Sequence, residues 1–100
     1  MIDGGDVLGV CAINVAEFVA GVRPPDRESA HEFLAALSYW HISYAAARQA
    51  GIWRYSAART GVQLSTTDTL IAAVAHEQDA IVITRNLRHF PMPEVRVLGH

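Results

Sequence analysis

The order of apolar runs and helical stretches predicts an α/β domain built on a mainly parallel sheet. Three observations carry that expectation. Residues 7–13 and 80–84 are short, continuously apolar runs of the kind that suits strands covered on both faces. Segments with helical spacing alternate with such runs over most of the 100 residues. Polar segments at 14–17, 65–68 and 84–86 fall at or just beyond expected strand ends, where open α/β sheets collect ligands.

In chain order, residues 7–13 form the first strand. Asn14 is a good N-cap, so a short helix is expected over 15–21, stopped at Gly21. Pro24 and Pro25 separate it from a helix over 27–37, where Ala30, Phe33, Leu34 and Leu37 make one apolar stripe. Residues 39–42 suit a short strand. Ser43 caps a longer helix reaching about Thr60, with Gly61 as its stop and Gly51 as a weak point of about 1 kcal/mol. Ser65 or Thr66 caps the next helix, which ends near Gln78. There Asp68 sits in the first turn, and Leu70, Ile71, Val74 and Ala75 share one stripe. A strand at 80–84, a polar turn at 85–90 and a strand at 95–98 complete the chain.

Length and composition describe one domain with a modest core: 51% of residues are hydrophobic and 18% charged, which excludes a disordered chain. The single cysteine, Cys11, excludes an intrachain disulfide and fits a reducing, cytoplasmic setting. No apolar run reaches membrane-spanning length, and the first residues lack the character of a signal peptide. A net charge of −2 argues against a protein that coats nucleic acid, but not against a nuclease with an acidic metal site. All eight basic residues are arginine.

Glu17 is the one charge in an otherwise apolar helix, and Asp68 opens another. Taken alone, Glu17 reads more readily as a solvated helix face or a helix-dipole partner, and Asp68 as a helix starter, than either does as a ligand. Together with neighbouring oxygen donors they could hold Mg²⁺ or Mn²⁺, hard ions that take oxygen ligands and assist phosphodiester hydrolysis. His31, His41, His76, His89 and His100 lack zinc-site spacing, and only His89, beside Asn86, adjoins a polar segment of interest. Cys11 lies in an apolar run, where thiols are inert. The glycines form neither a P-loop nor a dinucleotide fingerprint. Arg85 and Arg88 share one turn and could meet phosphates.

Four segments together resemble one family. Val15-Ala16-Glu17-Phe18-Val19-Ala20-Gly21 is similar to its Glu-Leu-x-x-Gly helix, and Ser65-Thr66-Thr67-Asp68-Thr69-Leu70-Ile71-Ala72-Ala73 to its Asp-x-Leu-Ile-Ala-Ala signature. Ile83-Thr84-Arg85-Asn86-Leu87-Arg88-His89-Phe90 is similar to its Thr-Arg-Asn/Asp…Phe turn, and Val95-Arg96-Val97-Leu98 to its closing strand. This is the PIN-domain family, in its VapC-type toxin branch. The resemblance implies a three-layer α/β fold and a Mg²⁺- or Mn²⁺-dependent endoribonuclease of a toxin–antitoxin module. It further implies a cytoplasmic homodimer that acts on RNA and is neutralised by a VapB-like antitoxin, with no membrane. By the same resemblance Glu17 and Asp68 are metal ligands, and Asn86 is a catalytic-site residue where many relatives carry Asp, with Thr84 as its polar neighbour.

The family's domains normally begin with a central strand ending in a metal-binding Asp. Only Met1-Ile2-Asp3-Gly4-Gly5-Asp6 precedes residue 7, and Asp3 follows no apolar run. Residues 1–100 therefore read as a single, N-terminally truncated PIN-like domain whose central strand is missing. That would leave two strand edges facing a gap, unless the sheet closes differently or a partner fills it. The expected consequence is little or no activity. The alternative reading is a non-catalytic remnant that binds an antitoxin or dimerises.

Overall fold

A computed structural model describes residues 1–5 and 7–99; His100 lies outside the described residues. The elements run β1 (Ile2–Asp3), β2 (Leu8–Val10), α1 (Ala12–Ala20), α2 (Arg27–Ala35), β3 (Ser38–Tyr39), α3 (Tyr44–Arg59), α4 (Thr66–Glu77), β4 (Ile81–Thr84) and β5 (Arg96–Gly99). The strands form one sheet in the order β3-β2-β1-β4-β5.

The gap expected between β2 and β4 is closed by β1. Ile2 lies opposite Gly9 on one side and Val82 on the other, and both pairings are antiparallel. Backbone bonding continues to Met1, whose carbonyl accepts the Ile83 N–H at 2.8 Å. The direction follows from chain length. Only residues 4–7 connect β1 to β2, whereas a parallel pair needs a crossover of a dozen residues or more. The reversal is made by a tight turn. The Gly4 N–H donates to the Val7 carbonyl, the Gly5 N–H donates to Asp3 Oδ1 at 2.9 Å, and Gly5 takes φ +89°. That φ belongs to the left-handed region glycine enters without steric cost.

The pairings β2–β3 and β4–β5 are parallel. Since β2 and β4 both oppose β1, four strands point one way and β1 alone runs against them. The sheet is therefore mixed, with two parallel and two antiparallel pairings, where a mainly parallel sheet was expected.

Register puts Ile2, Gly9, Val82 and Val97 on one face. There α4 supplies Ile71 to Ala75, all buried, and α3 adds Ala46, Ala50 and Trp53. The two helices are tied where the Ser43 hydroxyl donates to Glu77 Oε2 at 2.6 Å. The Trp40 ring lies against β2 so closely that a Cβ on Gly9 would meet it at 2.2 Å. The other face is thinly covered. α1 and α2 gather around Val10, while Leu8 and Leu98 stay 43% and 54% exposed.

The helix expected over 15–21 starts earlier, at Ala12, and the strand before it is correspondingly short. Asn14 is not the N-cap. It sits inside the first turn and its Oδ1 accepts the Cys11 N–H at 2.9 Å. The helix over 27–37 stops at Ala35, and the strand after it is Ser38–Tyr39. Ser43 and Ser65 cap as expected, accepting the Ala46 and Asp68 N–H groups at 3.0 Å. No described helix is long and apolar enough to cross a membrane.

Ile2 is fully buried at the centre of the sheet. Ile2→Ala should cost about 3 kcal/mol in urea unfolding, whereas Leu8→Ala on the exposed face should cost within about 0.5 kcal/mol.

Candidate functional site

The four co-directional strands deliver their carboxyl ends to one edge of the sheet. Polar residues from three distant segments meet there. Asn14 and Glu17 come from α1, Asp68 from the first turn of α4, and Thr84 and Asn86 from the end of β4; all line a cleft of ≈ 160 Å³. Ile71, Val82 and Phe90 form its apolar wall. The resemblance thus named residues that do lie together: Glu17, Asp68 and Asn86 share one cleft, with Thr84 beside them.

Each side chain is mounted by its local structure. Ser65 Oγ accepts the Asp68 N–H, and the buried Thr69 hydroxyl donates to the Ser65 and Thr66 carbonyls at 2.9 and 3.0 Å. That double lock fixes the turn carrying Asp68. Thr84 Oγ1 accepts the Asn86 N–H at 3.0 Å, which sets the bend after β4. The next turn places His89 with its Nδ1 3.4 Å from Asp68 Oδ2. His89 therefore adjoins the site, as its position next to Asn86 suggested, whereas the exposed His76 packs edge-on to Trp53, away from it.

Met1 and Asn14 are cleft residues that the sequence reading did not assign. The Met1 amino group donates to the Ile83 carbonyl at 3.3 Å. Burial lowers its pKa from 8.0, an effect opposed by the electrostatic influence of the nearby Cys11 and Glu17 side chains. Asn14 was legible as part of a polar strand end but not as a lining residue, because its capping chemistry was the stronger signal.

Asp3 is absent from the cleft. Because β1 runs backwards, Asp3 pairs opposite Ile81, at the far end of β4 from Thr84. Among the described residues no group of three His, Cys, Asp or Glu side chains is placed to hold a metal ion. The acidic donors are two carboxylates, with the amide oxygen of Asn86 and the hydroxyl of Thr84 close by. Two carboxylates with neutral oxygen donors fit a hard divalent ion that keeps several of its waters, and do not fit a closed protein cage. Cys11 is fully buried and free, as expected of an inert thiol.

Fold and cleft together define a class: an α/β domain that assembles oxygen donors beyond the carboxyl ends of its strands. A sequence profile of the PIN domain matches residues 1–94, and the chain belongs to the PIN-domain family, in its VapC-type branch. It is similar to ribonuclease VapC10 of Mycobacterium tuberculosis H37Rv, 32% identical over 93% of this chain and 74% of that protein. It is equally similar to ribonuclease VapC19 of the same strain, 32% identical over 92% of this chain and 74% of that protein. The DNA-bound VapBC of Salmonella typhimurium superposes with a TM-score of 0.78 at 27% identity, over 91% of this chain and 74% of that one. VapBC-1 of nontypeable Haemophilus influenzae shares the fold alone, with a TM-score of 0.81 at 17% identity over 93% of this chain and 74% of that one.

Ser65→Ala removes the cap that mounts Asp68 and should cost about 1 kcal/mol in thermal or urea unfolding, while Thr67→Ala should cost less.

Proposed function

We propose that this chain is a metal-dependent endoribonuclease of the VapC type, the toxin of a VapBC-like module. The carrying observation is the single cleft shared by Glu17, Asp68 and Asn86, residues from segments far apart in sequence. The names of the curated relatives supply the substrate class, RNA. Glu17 and Asp68 would hold Mg²⁺ or Mn²⁺, with Asn86 as a neutral oxygen donor. The bound ion would supply an activated water and stabilise charge developing at phosphorus.

The chain's own residues do the remaining work. The capped first turn of α4 presents the Asp68 carboxylate on a rigid mount. The Thr84 hydroxyl holds the backbone of Asn86, so that its amide faces the same cleft. Ile71, Val82 and Phe90 keep the inner wall apolar, which strengthens the carboxylates' pull on a cation. With two carboxylates at the cleft among the described residues, metal binding should be weak and turnover slow.

A VapB-type antitoxin is the proposed partner, since structural neighbours were crystallised as VapBC complexes. A suitable surface adjoins the cleft. Phe18 stacks on Phe33 with both rings partly exposed, and Val15, Val19, Leu34 and Leu37 line a groove between α1 and α2. A homodimer in the cytoplasm completes the proposal, with the exposed Leu8 and Leu98 on the thinly covered sheet face as material for contact.

Among the described residues no third acidic side chain joins Glu17 and Asp68, which favours a second reading, a non-catalytic module that keeps only the antitoxin surface. Metal titration separates the two. Mn²⁺ at tenfold above its dissociation constant should raise the melting temperature by about 6 °C or more. Glu17→Gln and Asp68→Asn should abolish that rise, and Asp68→Ala should abolish Mn²⁺-dependent RNA cleavage. A melting temperature indifferent to Mn²⁺, with no cleavage, selects the non-catalytic module.

A further inference from the structure

The acidic cleft is the middle of three depressions that share walls. On one side it shares Asn14, Glu17 and Asn86 with a broader cleft of ≈ 690 Å³ that includes Phe18 and Arg85. On the other it shares Asp68 and His89 with a cleft of ≈ 170 Å³ that includes Ser65 and Arg88. Two arginines of one turn thus flank the carboxylates from opposite sides. Four of the other arginines are engaged within the chain, while Arg27 and Arg48, also exposed, line none of the three clefts. Arg23 and Arg96 are ion-paired, Arg54 donates to the Leu64 carbonyl, and Arg59 lies over the Tyr55 ring. Among the described residues Arg85 and Arg88 form no ion pair or hydrogen bond, and both are exposed.

From this arrangement we infer that the three clefts form one track for single-stranded RNA, with Arg85 and Arg88 holding the phosphates on either side of the one at the carboxylates. The inference rests on the ribonuclease reading and adds to it how the strand is held. A chain of net charge −2 repels a polyanion overall, and its acidic cleft does so most strongly, so cations at both flanks are needed to seat the strand. Phe18, partly exposed and backed by Phe33 at 5.6 Å, offers a supported ring in the Arg85 arm on which a base can stack. Cations following the backbone and an aromatic platform for a base are how single strands are bound without sequence readout.

The test uses the full chain and a short fluorescein-labelled single-stranded RNA in EDTA, with binding read by fluorescence anisotropy across a salt series. Arg85→Ala and Arg88→Ala should each make the slope of log K against log salt shallower by about 0.7, and the double variant by about 1.4. Phe18→Leu, which keeps the apolar packing, should weaken binding about tenfold at an unchanged slope. Arg48→Ala, exposed on α3 and outside all three clefts, should change neither. Wild-type slopes in both arginine variants overturn the track. If Asp68→Ala still abolishes metal-dependent cleavage in that case, the ribonuclease reading stands and the track alone fails. No RNA binding at all overturns both.

Discussion

The pairing of Ile2 and Asp3 between β2 and β4 is the constraint on which the rest of the structure depends. Without a strand in that slot, the inner edges of β2 and β4 would carry unpaired backbone groups beside the core. Two residues suffice to close it because Ile2 also fills the core beneath, fully buried against the face covered by α4. The four-residue connection to β2 dictates the direction. That direction then decides the chemistry, since it turns Asp3 toward the start of β4 and away from the cleft. A parallel strand in the same slot would carry its last residue to the opposite edge, among Glu17, Asp68 and Asn86.

The cleft that results is well mounted and lightly charged. Asp68 is held by a capped, doubly hydrogen-bonded helix turn, and Asn86 by a hydroxyl-fixed bend. Rigidity of that sort sets ligand geometry without a partner ion. The charge, however, comes from two carboxylates, and the half-buried Met1 amino group sits beside them. Among the described residues no third acidic side chain joins them.

Much of this was legible in the sequence where local chemistry and global packing agree. The Ser65 cap, Asp68 and the apolar run to Ala75 identify α4 to within a residue, because the helix is both well started and wholly buried on one side. The Ile-Val-Ile run and the turn after it place β4 and Asn86 in the same way. Asn14 misleads because an amide can cap a helix from the N-cap position or reach back from the third residue, and the sequence does not distinguish the two. β1 is not legible at all: two residues carry no periodicity, and their place is fixed by hydrogen bonds to strands six and about eighty residues away. That Glu17 and Asp68 meet also lies beyond spacing arguments. It entered through the family resemblance; in the structure both side chains line one cleft.

The central claim is the reversed strand, and the direct measurement is the pattern of cross-strand nuclear Overhauser effects in the labelled protein. The account predicts contacts of Ile2 with Gly9 and Val82, and of Asp3 with Leu8 and Ile81. Contacts of Asp3 with Ile83 or Thr84 in place of Ile81 would contradict it, by bringing a third carboxylate to the edge where Glu17 and Asp68 lie.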